Sequence, residues 1–150
     1  MRVVMRKKGS ETILVVDDDP GVLGSIDFVL SPLGYRLFLA PSGEEALELA
    51  EEGDKKIDLL LTDMMLSGIT GLDLARQFLE KRPRTKIMFM SGYMCPSIAH
   101  QGVGFNEKAF IKKPFTANTL VNKLRAVLKS DYFPEIDSDD SRGMRSDYDF

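Results

Sequence analysis

Short apolar runs recur along the chain, each closed by polar or charged residues and each followed by a stretch with helical spacing. Leu59, Leu60 and Leu61 run into Thr62 and Asp63 without helical spacing, between Lys55-Lys56 and Ser67-Gly68. That pattern reads as a strand buried on both faces, with Asp63 at its carboxyl end. Thr12 to Val16 is a second such run, β-branched and apolar, and it ends on Asp17-Asp18-Asp19-Pro20. Pro20 suits a first helical turn, where its missing N–H is not needed. Val22, Ile26, Val29, Leu30 and Leu33 then recur at helical spacing, and Gly34 marks the stop. Tyr35 to Ala40 reads as a strand, and Ser42-Gly43-Glu44-Glu45 as a capping box, in which Ser42 caps the first amides and Glu45 reaches back. Ala46, Leu47, Leu49 and Ala50 give the second helix its apolar face.

The third strand is predicted over Asp58 to Thr62. Gly68 and Gly71 then give the following loop freedom in φ, and Leu72, Ala75, Phe78 and Leu79 define a third helix that stops before Pro83. Lys86 to Met90 is a fourth strand closing on Ser91-Gly92. Between Tyr93 and Asn106, Pro96, Gly102 and Gly104 leave room for a short helix at most. Lys108 to Lys112 is a fifth strand, ended by Lys113-Pro114. Thr116 caps a last helix striped by Leu120, Leu124, Val127 and Leu128. The expected organisation is a basic leader over residues 1–11, one domain over 12–129 and a tail over 130–150 with little to bury, disordered or dependent on a partner.

Strands alternating with helices imply an α/β fold with a parallel sheet and right-handed crossovers. The expectation is a flavodoxin-like (βα)5 three-layer sandwich in strand order 2-1-3-4-5. Its switch point, where ligands bind, lies between strands one and three. Those are the strands that end in Asp17-Asp18 and in Asp63.

Composition narrows the function classes. A chain of 150 residues, 43% hydrophobic and 29% charged, fits a single ordinary core. No apolar stretch approaches the roughly 20 residues of a membrane helix, and no signal-peptide pattern opens the chain, so a cytoplasmic location and no membrane partner are expected. Cys95 is the one cysteine and His100 the one histidine, which excludes an internal disulfide and argues against structural zinc. From Ser130 onward, seven acids face two arginines, so the tail carries −5 and the rest of a chain at −3 carries +2. That balance gives no basic face for direct nucleic-acid binding, and Arg2, Arg6, Lys7 and Lys8 read as a solvated leader.

Carboxylates gathered in one crevice repel one another unless a cation joins them. With oxygen donors and no thiol or imidazole nearby, the expected ion is Mg2+, with Mn2+ the alternative. Lys113 adds a compact positive charge and Ser91 a hydroxyl donor. Acids, a cation, a lysine and a hydroxyl suit phosphoryl transfer onto an aspartate, where catalysis is mainly positioning and charge neutralisation.

Val15-Val16-Asp17-Asp18-Asp19-Pro20, Leu61-Thr62-Asp63 with Gly71 behind it, Met90-Ser91-Gly92 and Ile111-Lys112-Lys113-Pro114-Phe115 together resemble the receiver domain of two-component response regulators. The resemblance covers about Glu11 to Lys129. It is nearest to receivers attached to hybrid sensor histidine kinases, on Ser91-Gly92-Tyr93 and Lys113-Pro114-Phe115-Thr116. It implies that Asp63 accepts a phosphoryl group from a phosphohistidine of a sensor histidine kinase or histidine phosphotransfer protein. It further implies Asp18 as a direct metal ligand, Asp17 mainly through water, and the Met65 backbone carbonyl as another ligand beside Asp63. Ser91 then hydrogen-bonds the phosphoryl group, Lys113 pairs with it, and Phe110 is the switch aromatic. The Lys113-Pro114 bond is expected to be cis. Ser67 departs from the proline usual after the acceptor and predicts a looser loop, and Phe110 lacks the hydroxyl of many relatives.

On this reading the chain is a phosphorylation-controlled switch and not an enzyme beyond its own phosphorylation and dephosphorylation. Its output is the surface of the fourth helix, fifth strand and fifth helix, which is also where a homodimer would form. With no output domain following, it is a stand-alone regulator, a relay or sink, or a piece of a longer kinase. The rival enzyme, a Mg2+-dependent phosphatase with an aspartate nucleophile, needs an acid two residues after Asp63, where Met65 stands. The rival binding module, a phosphate-independent receiver, would lack one of the acids or the lysine, and none is missing. Asp19 reads as a helix N-terminal charge, Lys112 as surface, His100 as an exposed bystander and Cys95 as an inert thiol. Met64, Met65, Met88, Met90 and Met94 read as fillers of core and loop gaps.

Overall fold

The computed structural model describes residues 11–92 and 109–130. The leader, Tyr93 to Lys108 and the tail from Asp131 lie outside the described residues, and with them the expectations for Met94, Cys95, His100 and the fourth crossover.

Five parallel strands form one sheet: β1 (Thr12–Val16), β2 (Arg36–Ala40), β3 (Leu59–Asp63), β4 (Lys86–Ser91) and β5 (Phe110–Lys112), in the order β2-β1-β3-β4-β5. Among the described residues the α-helices are α1 (Pro20–Leu30), α2 (Gly43–Glu51), α3 (Gly71–Lys81) and α4 (Ala117–Lys129). Alternate side chains of the central strands face opposite layers, which is why those strands read as unbroken apolar runs. Leu14, Val16, Leu60, Ile87 and Phe89 pack with Ala46 and Ala50 of α2 and with Leu72, Ala75 and Phe78 of α3. Ile13, Val15, Leu61, Met88 and Met90 pack on the other face with Leu23, Ile26 and Leu30 of α1 and with Leu120, Leu124 and Val127 of α4. The expected three-layer architecture and strand order are therefore present.

Side-chain caps set the helix starts. Asp19 accepts from Gly21 N (2.8 Å) before α1, Ser42 Oγ from Glu45 N (3.2 Å) before α2, and Thr116 Oγ1 from Thr119 N (3.1 Å) before α4. Thr70, which the apolar spacing does not single out, caps α3 by accepting from Asp73 N (3.1 Å).

Three expectations need correction. Leu33 is not on the buried stripe of the first helix: α1 ends at Leu30 and tightens into a 3-10 turn over Ser31–Leu33, leaving Leu33 40% exposed. A 3.6-residue period cannot be carried through a three-residue turn, and Leu23 takes the buried place. Gly71 does not serve the loop by a positive φ, which among the described residues belongs to Gly34 (99°) and Gly68 (90°). It serves by size, since a Cβ there would stand 2.2 Å from the Asp63 carbonyl oxygen. Met65 fills no gap, being 73% exposed, whereas Met64, Met88 and Met90 are buried.

Candidate functional site

The three acids meet at the carboxyl edge of the sheet because β1 and β3 are neighbours. Val16 pairs with Thr62, so the next residues stand side by side, Asp17 just past the end of β1 and Asp63 as the last residue of β3. One carboxylate oxygen from each of Asp17, Asp18 and Asp63 lies within 4.8 Å of the others.

Each acid is held differently. Asp17 is 1% exposed, its Oδ1 accepting from Asp19 N (2.9 Å) and its Oδ2 from Lys113 Nζ (2.8 Å). Asp63 is buried, its Oδ1 accepting from Met65 N (3.3 Å) and its Oδ2 from the same Lys113 ammonium (3.2 Å). Asp18 is exposed and accepts from Ser67 Oγ (3.2 Å). Ser67 thus ties the loop after β3 to the loop after β1, a bond proline could not make. Its hydroxyl was visible in the sequence, but its partner lies 49 residues away.

Lys113 reaches the cluster from the far side of the sheet. Its backbone N–H donates to the Ser91 carbonyl (2.7 Å), continuing the β4–β5 ladder one step, and the Lys113-Pro114 peptide is cis. Burial pushes the ammonium's pKa down, but the hydrogen bonds and charges of Asp17 and Asp63 outweigh burial and hold it above the ordinary lysine value. Three carboxylates against one ammonium leave two negative charges in one cleft, and every acidic donor is oxygen. Charge and donor set both fit a hard divalent cation.

Ser91 ends β4 opposite Lys112, buried at the same edge of the sheet. Phe110 opens β5, half-buried, its ring stacked on Phe89 at 5.3 Å between centroids and 24° between planes. Asp63, Asp17, Asp18, Lys113, Ser91 and the Met65 backbone therefore lie around one edge, with Phe110 on the neighbouring strand opposite Phe89, two residues before the register of Ser91. Gly71 belongs with them, because α3 starts against the backbone that carries Asp63: Gly71 N donates to the Met64 carbonyl (2.9 Å).

The family model of the response regulator receiver domain matches residues 13–125. The sensor kinase CckA of Brucella abortus (strain 2308) is 31% identical over 122 residues, which are 81% of this chain and 13% of that kinase. The cell cycle response regulator CtrA of Brucella ovis is 25% identical over 117 residues, 78% of this chain and 50% of that protein. The chain thus spans half or less of these relatives. Among solved structures, the receiver domain of the hybrid histidine kinase CckA superposes with a TM-score of 0.65 at 32% identity, covering 79% of this chain and 99% of that domain. No helix among the described residues is long and apolar enough to cross a membrane.

Proposed function

The chain belongs to the response regulator receiver domain family of two-component signalling, and from that premise we propose that Asp63 takes a phosphoryl group from a phosphohistidine of a sensor histidine kinase or phosphotransfer protein. An Asp63 carboxylate oxygen attacks phosphorus, the P–N bond breaks as the P–O bond forms, and the imidazole, already carrying a proton on its other nitrogen, takes the bonding pair and leaves as a neutral ring. The observation that supports this best is the single lysine ammonium shared by Asp17 and Asp63. It already lies where charge on a phosphorylated Asp63 would need a counter-ion.

Receiver domains bind Mg2+ at an aspartate cluster, and the Asp17, Asp18 and Asp63 group fits that use. Asp18, Asp63 and the Met65 carbonyl would hold the ion directly. Asp17, with an oxygen already on Lys113, would act mainly through water. When bound, Mg2+ supplies positive charge against the phosphoryl oxygens. The chain's own residues do the rest: Lys113 pairs with the phosphoryl group, Ser91 donates its hydroxyl, and Met65 N steadies the acceptor. As Ser91 moves inward, Phe110 repacks against Phe89 and the surface around β5 and α4 changes shape, for a partner or a second copy to read. The working unit is residues 12–129.

Beryllofluoride, a mimic of the phosphoryl group, tests the reading by NMR. With Mg2+ present, amides at Asp63, Ser91 and Phe110 should shift together in the wild type and stay still in Asp63→Asn. Equal responses of the two proteins would overturn it.

A further inference from the structure

Opposite the acidic edge, where the strands begin, lies a cleft of about 570 Å³. Its floor is the start of β4 at Thr85 and Lys86 and the approach to β3 at Ile57 and Asp58, and Leu128 of α4 closes one side. Five cations line it, Lys56, Lys81, Arg82, Arg84 and Lys86. Glu11 and Asp58 are the acids.

Arg82 donates from Nε to the Ala50 carbonyl (2.9 Å) and from its terminal nitrogens to the carbonyls of Lys55 and Glu52, binding the end of α2 to the end of α3. Lys86 Nζ donates to the carbonyls of Leu128 (2.8 Å) and Ser130. These backbone bonds fix both cations in the cleft wall. Lys56 pairs with Asp58 at 3.5 Å and Lys81 with Glu51 at 2.8 Å. By formal charge the five cations outnumber Glu11, Asp58 and Lys81's partner Glu51, and none of these residues belongs to the phosphorylation chemistry.

Lys86 also shows where the chain goes next. It holds the carbonyl of Ser130, so α4 delivers the chain to the rim of this cleft. The next twenty residues include Asp131, Glu135, Asp137, Asp139 and Asp140, and as a whole carry seven acids against Arg142 and Arg145. At roughly 3.3 Å per extended residue, Glu135 to Asp140 can reach back over the opening, and attachment gives them an effective concentration of the order of millimolar.

We propose that this basic cleft is a docking site for the chain's own acidic tail, with Glu135 to Asp140 seated against Lys56, Arg84 and their neighbours. The docked tail covers the amino-terminal edge of the sheet and braces the last turn of α4, independently of the state of Asp63.

The test compares amide NMR spectra of the full chain, of a chain ending at Ser130, and of a full chain carrying E135Q, D137N, D139N and D140N. Amides of Ile57, Thr85 and Lys86 should move on truncation and move the same way in the neutralised tail. A synthetic peptide of residues 131–150 added to the shortened chain should restore them. Raising salt from about 0.01 M to about 1 M shortens electrostatic screening from roughly 30 Å to roughly 3 Å and should release the peptide. Lys56→Glu with Arg84→Glu, both exposed positions, should abolish peptide binding while leaving the beryllofluoride response of Asp63 intact. Cleft amides that are identical in the full and shortened chains would overturn the proposal, as would peptide binding that survives the double charge reversal. Inorganic phosphate shifting those amides in the full chain as strongly as in the shortened one would also overturn it, because the tail would then not be the occupant.

Discussion

At the scale of single residues, the site turns on Lys113 holding Asp17 and Asp63 at once. Its pKa lies above the ordinary lysine value of 10.5, so the folded state binds this proton more tightly than the unfolded state. The stability from that difference is fully present below the unfolded value and is lost as pH rises through the higher folded one. Urea titrations without divalent ions should therefore show the wild type losing stability on the alkaline side of 10.5 beyond any loss in Lys113→Met. Parallel decline of the two proteins would contradict this. The acids and the lysine are legible in the sequence because each follows an apolar run that has to be a strand. The Ser67 to Asp18 bond is not legible, because it joins two loops whose approach depends on the whole sheet.

At the scale of elements, the sharpest constraint is where α3 meets β3. A Cβ on Gly71 would lie 2.2 Å from the Asp63 carbonyl oxygen and 2.9 Å from Met64 Cα, both backbone atoms that cannot swing aside. Gly71→Ala must therefore push α3 away or displace the end of β3. Overpacking of this kind costs about 1–3 kcal/mol, and here it should also slow phosphorylation of Asp63. Denaturation and phosphorylation measured on the same variant check both effects, and a variant with wild-type stability and rate would refute the steric role. Chain order alone suggests the need for glycine but not its cause, since φ freedom and close approach look alike in a sequence. Helix caps at Ser42 and Thr116 are legible because capping is local. The end of the first helix is less so, because Ser31-Pro32-Leu33 continues the apolar spacing while the backbone tightens into a 3-10 turn.

At the scale of the molecule, two apolar layers clamp a sheet whose two edges carry opposite charge: acids where β1 and β3 end, cations where β3 and β4 begin. The alternation of apolar runs and helical stripes makes the sheet parallel, and the flavodoxin-like strand order then brings Asp17, Asp18 and Asp63 together. The basic cleft could not be read that way, since Lys56, Arg84 and Lys86 look like ordinary surface charges until the fold gathers them. The relation to a hybrid-kinase receiver, expected from the motifs around Ser91 and Lys113, is matched by the 32% identity with the CckA receiver. Intact mass spectrometry after incubation with acetyl phosphate and Mg2+ tests the central claim most directly. The wild type should gain the mass of one phosphoryl group, and Asp63→Asn, or the wild type with the metal chelated, should gain none. Equal labelling of wild type and Asp63→Asn would contradict the account.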